Sequence, residues 1–255
     1  MRNYCTSTGN GSGLARGTRA LGAFKQAVLV LRWFIDGARL VQLARDNGIS
    51  TPTAYRYLHE GLTVLADHAP DLSTALERAT AAGYTHLNLD GTVIRTDRVA
   101  TPGPNKADLW WSGNTGTTVA TSRSSPPRTA GRSGSPRSAS GREHDTTCAR
   151  THGLVDALNR LAATLGIPTL TDLGYENAGP GFRHPARKPQ GRELGLKQKT
   201  FNKVIRGIHG VAERANALFK VTFQALRRVS LDPGSITRIA RAALALLQME
   251  HGRTT

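Results

Sequence analysis

Apolar positions between Leu21 and Leu76 recur at helical spacing: Ala27, Leu29, Val30, Leu31, Phe34 and Ile35, then Leu40, Leu43 and Ala44, then Tyr55, Leu58, Leu62 and Leu65, with Leu72 and Leu76 closing the series. A period near 3.6 predicts a run of amphipathic helices. Residues 1–20, rich in Gly, Ser and Thr, show no period and read as a loose arm. At 84–89, Tyr-Thr-His-Leu-Asn-Leu alternates apolar and polar positions and meets Asp90-Gly91, a strand ending in a turn. Residues 114–140 contain one Val and no other large aliphatic or aromatic residue. Burial cannot offset their ordering entropy, so this segment is expected to be disordered. Helical spacing resumes after Gly141 through Leu154, Leu158, Leu161 and Leu165, and a short strand over 167–172 follows. A basic loop spans 179–200, and helices over about 201–228 and 233–250 finish the chain. Phe201, Val204, Ile208, Val211, Leu218 and Phe219 read as core positions.

Composition narrows the function. The 255 residues carry 34 Lys and Arg against 18 Asp and Glu, a formal charge of +16. Clustered cations favour phosphate, so nucleic acid is the partner that charge alone suggests. Cys5 and Cys148 lie far apart with no Cys-x-x-Cys pair, which argues against a disulfide scaffold and a thiolate zinc site and fits a reducing cytoplasm. No apolar run approaches the length needed to span a bilayer, and no secretory leader is visible; a cytoplasmic, nucleoid-associated placement is expected.

Residues 39–60 carry the signature of a helix-turn-helix. Leu40, Leu43 and Ala44 form one face, Gly48 permits a left-handed turn, and Ile49 plugs the core. Ser50 or Thr51 caps the next helix, with Pro52 in its first turn. Ala54, Tyr55 and Leu58 are expected inward. Thr51, Thr53, Arg56, Tyr57 and His59 are then left outward, where a recognition helix meets base edges and phosphates. An ordinary helical hairpin shares the glycine and the packing, but not the basic context.

Three acids have the positions that metal-dependent phosphoryl transfer requires. Asp90 and Asp172 end strands, and Glu213 lies in a helix. Carboxylates from adjacent strand ends and a facing helix can converge on two divalent ions. Magnesium suits them, because it takes hard oxygen ligands and few protein carboxylates. Arg206 and Lys220 stand seven residues to either side of Glu213, two turns away on nearly the same face, and could hold phosphate. In the basic loop Arg183, Arg187, Lys188, Arg192, Lys197 and Lys199 are candidate phosphate contacts.

Taken together, Leu89-Asp-Gly-Thr92, Lys106-Ala-Asp-Leu-Trp-Trp-Ser-Gly113, Gly141-Arg-Glu-His-Asp145, Thr171-Asp-Leu-Gly-Tyr175, Phe201-Asn202 and the run from Arg206 to Lys220 resemble the DDE-type insertion-sequence transposases. The likeness covers about 25–112 and 141–250. It implies an α/β fold: an RNase H-like catalytic domain over 84–250, preceded by a small all-α helix-turn-helix domain over 21–80. It further implies Asp90, Asp172 and Glu213 as catalytic, metal-holding acids, with Asp145 a rival for the second position. Two Mg²⁺ or Mn²⁺ ions, double-stranded DNA as substrate and a homo-oligomer on that DNA follow from the same likeness. The alternatives are a catalytically dead remnant that only binds DNA, and a metal-dependent nuclease without strand transfer.

The family pattern fails between Gly113 and Gly141, where a Lys-His run and two core strands are expected. Back-translation of 114–134, with permissive codon choice and one restored base, reads Lys-His-Arg-His-His-Gly-Gly-Asn-Val-Gln-Val-Ile-Thr-Ala-Pro-Asp-Gly-Trp-Pro-Leu-Trp. This string has the basic run, a strand pattern and a turn. The segment therefore reads as frameshifted, leaving the catalytic domain depleted of two strands and its activity impaired.

Overall fold

The computed structural model describes residues 19–97, 111–112, 117–124, 137–140 and 145–251. Four helices come first: α1 (Ala23–Asp36), α2 (Leu40–Asp46), α3 (Thr51–Asp67) and α4 (Leu72–Ala81). Strands β1 (Leu87–Asn88), β2 (Asp90–Thr96), β3 (Trp111–Ser112), β4 (Thr117–Ser124) and β5 (Arg137–Ser140) follow. Next come α5 (Asp145–Thr151), α6 (Leu154–Leu165), β6 (Thr169–Leu170), β7 (Phe182–Arg183), α7 (Leu196–Thr222), β8 (Arg228–Val229) and α8 (Ile236–His251).

The turn between α2 and α3 forms for the reasons its residues suggest. Gly48 takes φ +62°, and Ser50 caps α3 by accepting the Thr53 N–H at 3.3 Å. The faces of α3 differ from expectation at two tyrosines. Tyr57 is 2% exposed and its hydroxyl accepts the Leu21 N–H at 3.3 Å, whereas Tyr55 is 40% exposed. Ala54, Tyr57, Leu58 and Leu62 make the buried stripe, and that spacing puts residue 57 beside 54 and 58 and rotates 55 outward.

The larger core runs from Leu21 through Leu29, Phe34, Leu43 and Leu58 to Phe219, Leu226, Ile239 and Leu247. Helix α8 thus packs with the N-terminal helices. A second core joins Ala79, Leu87, Leu89, Leu158, Tyr175 and Phe182. Tyr175 is buried and stacks on Phe182, with ring centroids 6.3 Å apart, so it packs and is not available to DNA.

Two sheets meet at Leu89. The first has the order β1-β6-β7, all parallel, and the second has β3-β4-β2-β8 with β5 on β4. Segment 114–140, expected to lack folded elements, supplies β4 and β5. Strand β4 runs antiparallel to β2 from Asp90↔Ser124 to Arg95↔Val119, and β5 pairs with β4. The two strands expected to be missing are therefore present as backbone. A ladder needs only backbone groups, and Thr117, Thr118, Val119 and Thr121 are β-branched residues that favour extended chain. Helix α7 begins at Leu196, inside the segment expected to be loop, where Gln198 Oε1 accepts the Gly195 N–H at 3.0 Å.

Candidate active site

Strand pairing brings the first two acids together. β1 and β6 run parallel in the register Leu87↔Thr169 and Asn88↔Leu170, and the Leu89 N–H bonds the Leu170 carbonyl at 3.0 Å. Two residues further along each chain stand Asp90 and Asp172. Asp90 begins β2 instead of ending a strand, because the chain passes there from one sheet to the other. Asp172 is exposed and caps a single 3-10 turn, accepting the Gly174 N–H at 3.1 Å. The loop beyond it is held to α6 by Asn159, which donates to the Ala178 carbonyl and accepts from the Gly181 N–H, both at 2.8 Å. A Cβ on Gly181 would come within 2.9 Å of that Asn159 oxygen, so glycine is needed there.

Helix α7 supplies the rest. His209, Glu213, Asn216 and Lys220 recur at steps of four, three and four, one face of a helix. Asn216 donates to Asp90 Oδ2 at 2.9 Å, and Lys220 Nζ donates to Thr92 Oγ1 at 2.7 Å. Glu213 itself is exposed. Burial holds the Asp90 carboxyl above its ordinary pKa. The Asn216 hydrogen bond and the positive charge of His209 oppose that shift, and the negative charges of Asp172 and Glu213 reinforce it. Asp172 and Glu213 thus lie near enough to Asp90 for their charges to act on it. Among the described residues, however, no three His, Cys, Asp or Glu side chains stand at metal-holding spacing. Around the acids, Asn88 Oδ1, Thr169 Oγ1, Thr171 Oγ1 and His209 Nε2 are buried with no hydrogen-bond partner.

Asn216 and His209 escaped the sequence reading, although their distances of three and four residues from Glu213 put them on its face. Asp145 opens α5, but its side chain lies outside the described residues. Arg206 is exposed and its Nε donates to the Asn202 carbonyl. In the basic loop Arg187 pairs with Glu176 at 3.7 Å, Lys188 and Lys199 share Glu193, and Arg183 is exposed on β7. Thr51, Thr53, Arg56 and His59 lie on α3, with Arg56 exposed. His59 is half-buried, where Arg238 Nη2 contacts its Nδ1 at 3.0 Å. A groove of about 570 Å³ beside α3 is lined by Trp33, Arg39, Tyr55, Arg227 and Arg228, and the three acids do not line it.

Residues 89–248 match the family model of the DDE superfamily endonucleases. The chain belongs to that family. The matched stretch opens one residue before Asp90 and contains Asp172, Glu213 and Asn216, so the DDE endonuclease region holds the whole carboxylate constellation. It also contains most of α8, which packs on α3. No curated protein matches the chain. Among solved structures, the Mos1 transposase paired-end complex with left transposon end aligns at 12% identity and a TM-score of 0.22, covering 94% of this chain and 80% of that one; a likeness that slight carries no argument. Among the described residues no helix is long and apolar enough to cross a membrane.

Proposed function

We propose that the chain is the transposase of an insertion sequence, cutting and joining DNA strands at element ends. The observation that carries this reading is the family match over residues 89–248, a stretch that contains Asp90, Asp172 and Glu213. In this reading the matched region is RNase H-like, and α2 and α3 form a helix-turn-helix that meets DNA through Thr51, Thr53, Tyr55 and Arg56. Double-stranded DNA is the substrate, and the working form is a homo-oligomer in the bacterial nucleoid.

Asp90, Asp172 and Glu213 would hold the ions, Mg²⁺ or Mn²⁺. Their oxygen donors suit a hard cation, and the orphaned oxygens of Asn88 and Thr171 suit its water shell. When bound, two such ions stabilise the attacking and leaving oxygens of an in-line displacement at phosphorus. The chain's own residues prepare that site. Asn216 fixes the orientation of Asp90 through its hydrogen bond to Oδ2. Lys220 and Arg206 attract the phosphates on either side of Glu213.

Purified protein incubated with terminal-repeat DNA and Mg²⁺ should nick it, and an Asp90→Ala protein should not. A second reading, a DNA-binding remnant that does not cut, is favoured by the absence of three acids at ligating spacing among the described residues. Binding without nicking would decide for it, while nicking without joining would identify a nuclease. The frame offset over 114–140 stays a proposal about the coding DNA, independent of the backbone pairing of β4 and β5.

A further inference from the structure

The groove of about 570 Å³ beside α3 opens where the N-terminal helices meet the family-matched region, and its walls come from both. Arg39 and Tyr55 belong to the helical part, Arg227 and Arg228 to the matched region. Its floor is fixed by close packing. Gly37 ends α1 at φ +64°, and a Cβ on it would stand 3.1 Å from the Gln224 Cβ. Beneath them Phe34 meets Phe223 edge-on, with ring centroids 5.8 Å apart. Asp97 lines the groove and Asp90 opens β2. Roughly 20 Å of strand, at about 3.3 Å per residue, therefore separates the groove from the acids.

The charges around it are unevenly matched. Both acids of the groove are engaged: Asp36 pairs with Arg32 at 3.5 Å, and Asp97 pairs with Arg228 at 2.6 Å. Arg39, Arg95 and Arg227 are exposed and make no ion pair with a described residue. Arg95 stands beside Arg228 in the parallel ladder of β2 and β8, and like charges at paired positions repel. Arg227 is anchored, because its Nε donates to the Lys220 carbonyl at 3.3 Å. Guanidinium groups left without carboxylates, one of them set against another cation, favour a ligand rich in phosphate.

We propose that this groove is a second DNA site, in which Arg39, Arg95 and Arg227 hold backbone phosphates of the duplex that α3 meets. The inference rests on the reading of DNA as substrate, and it names where the backbone is gripped away from the acids. Charge complementarity selects a polyphosphate. Tyr55 makes the groove continuous with α3, since it lines the wall and is 40% exposed on that helix. Phosphate contacts fix the position of a duplex without reading its sequence. The groove therefore orients the DNA relative to both the helices and the sheet, because its cations come from both.

Fluorescence anisotropy of the full chain with a terminal-repeat duplex and with a scrambled duplex, each over a range of KCl concentrations, tests this. Arg39→Gln, Arg95→Gln and Arg227→Gln should each reduce the slope of log affinity against log salt by about one, and the triple change by about three. Both duplexes should be weakened alike. Lysine at each position should keep the slope, and Arg160→Gln, which removes an exposed arginine of α6, should leave it unchanged. All variants should keep the wild-type Tm. Four results would overturn the groove: a triple variant with the wild-type slope, an equal fall in slope from Arg160→Gln, a loss of binding that accompanies a fall in Tm, or a triple variant that loses polyglutamate binding but keeps DNA binding. A wild-type chain that binds no DNA would overturn the DNA reading as well. Cleavage is read in none of these measurements, so failure to nick bears on the transposase reading alone.

Discussion

The two tyrosines of α3 should separate folding from DNA contact. Tyr57 is 2% exposed, and its hydroxyl satisfies the Leu21 N–H at the point where the chain enters α1. Tyr57→Phe keeps the ring but leaves that buried N–H without a partner, a loss of about 1–3 kcal/mol. For a chain of this size each kcal/mol lowers Tm by about 2–4 °C, so a fall of several degrees is expected. Tyr55, 40% exposed and stacked near His59 with ring centroids 6.4 Å apart, should behave in the opposite way. Tyr55→Ala should change stability by no more than about 0.5 kcal/mol. It should weaken DNA binding about fivefold, the equivalent of losing one contact of about 1 kcal/mol. Thermal denaturation followed by circular dichroism, and fluorescence anisotropy with terminal-repeat DNA at fixed salt, measure the two effects. Unchanged Tm with abolished binding in Tyr57→Phe would refute the assignment, as would a large loss of stability in Tyr55→Ala.

Three further outcomes follow. Because the folded Asp90 carboxyl holds its proton above the ordinary 3.8, its ionisation opposes folding at neutral pH. Asp90→Asn should therefore raise Tm at pH 7, and the gain should shrink as pH falls through the folded pKa and vanish below the unfolded one; a gain that grows on acidification would contradict the burial argument. Gly61→Ala would place a Cβ 2.6 Å from Val30 Cγ2, and the overpacking between α1 and α3 should cost about 1–3 kcal/mol by urea denaturation, despite alanine's better helix propensity. Coding DNA compared with intact neighbouring copies of the element should show a single-base offset entering near residue 114; an unbroken frame would end that reading.

The local structure around the candidate residues was legible because its signals are local. The strand-end Asp172, the Gly48 turn, the Ser50 cap and the helical stripe of Glu213 each follow from residues within a few positions. What escaped depends on partners distant in sequence. Asn216 matters because it reaches Asp90, 126 positions away, and no local pattern announces that. Tyr55 and Tyr57 are both aromatic but lie on opposite sides of the helix, and Tyr57 is the one turned inward, where Leu21, outside the helix, meets its hydroxyl. Segment 117–124 has too little apolar mass to be read as a strand, yet β2 offers it a complete backbone ladder. The apolar residues of α7 look like core by type and spacing, but Phe201, Val204, Val211 and Leu218 are exposed, while Ile205, Ala212 and Phe219 are the ones its own chain buries.

The claim that Asp90, Asp172 and Glu213 form one metal-holding centre is tested most directly by the thermal stability of the protein with increasing Mg²⁺. A ligand that binds only the folded state raises Tm as its concentration passes Kd. The wild-type protein should show that rise, and Asp90→Asn, Asp172→Asn and Glu213→Gln should each lose most of it. A rise that persists undiminished in all three variants, or no rise in the wild type, would contradict the account.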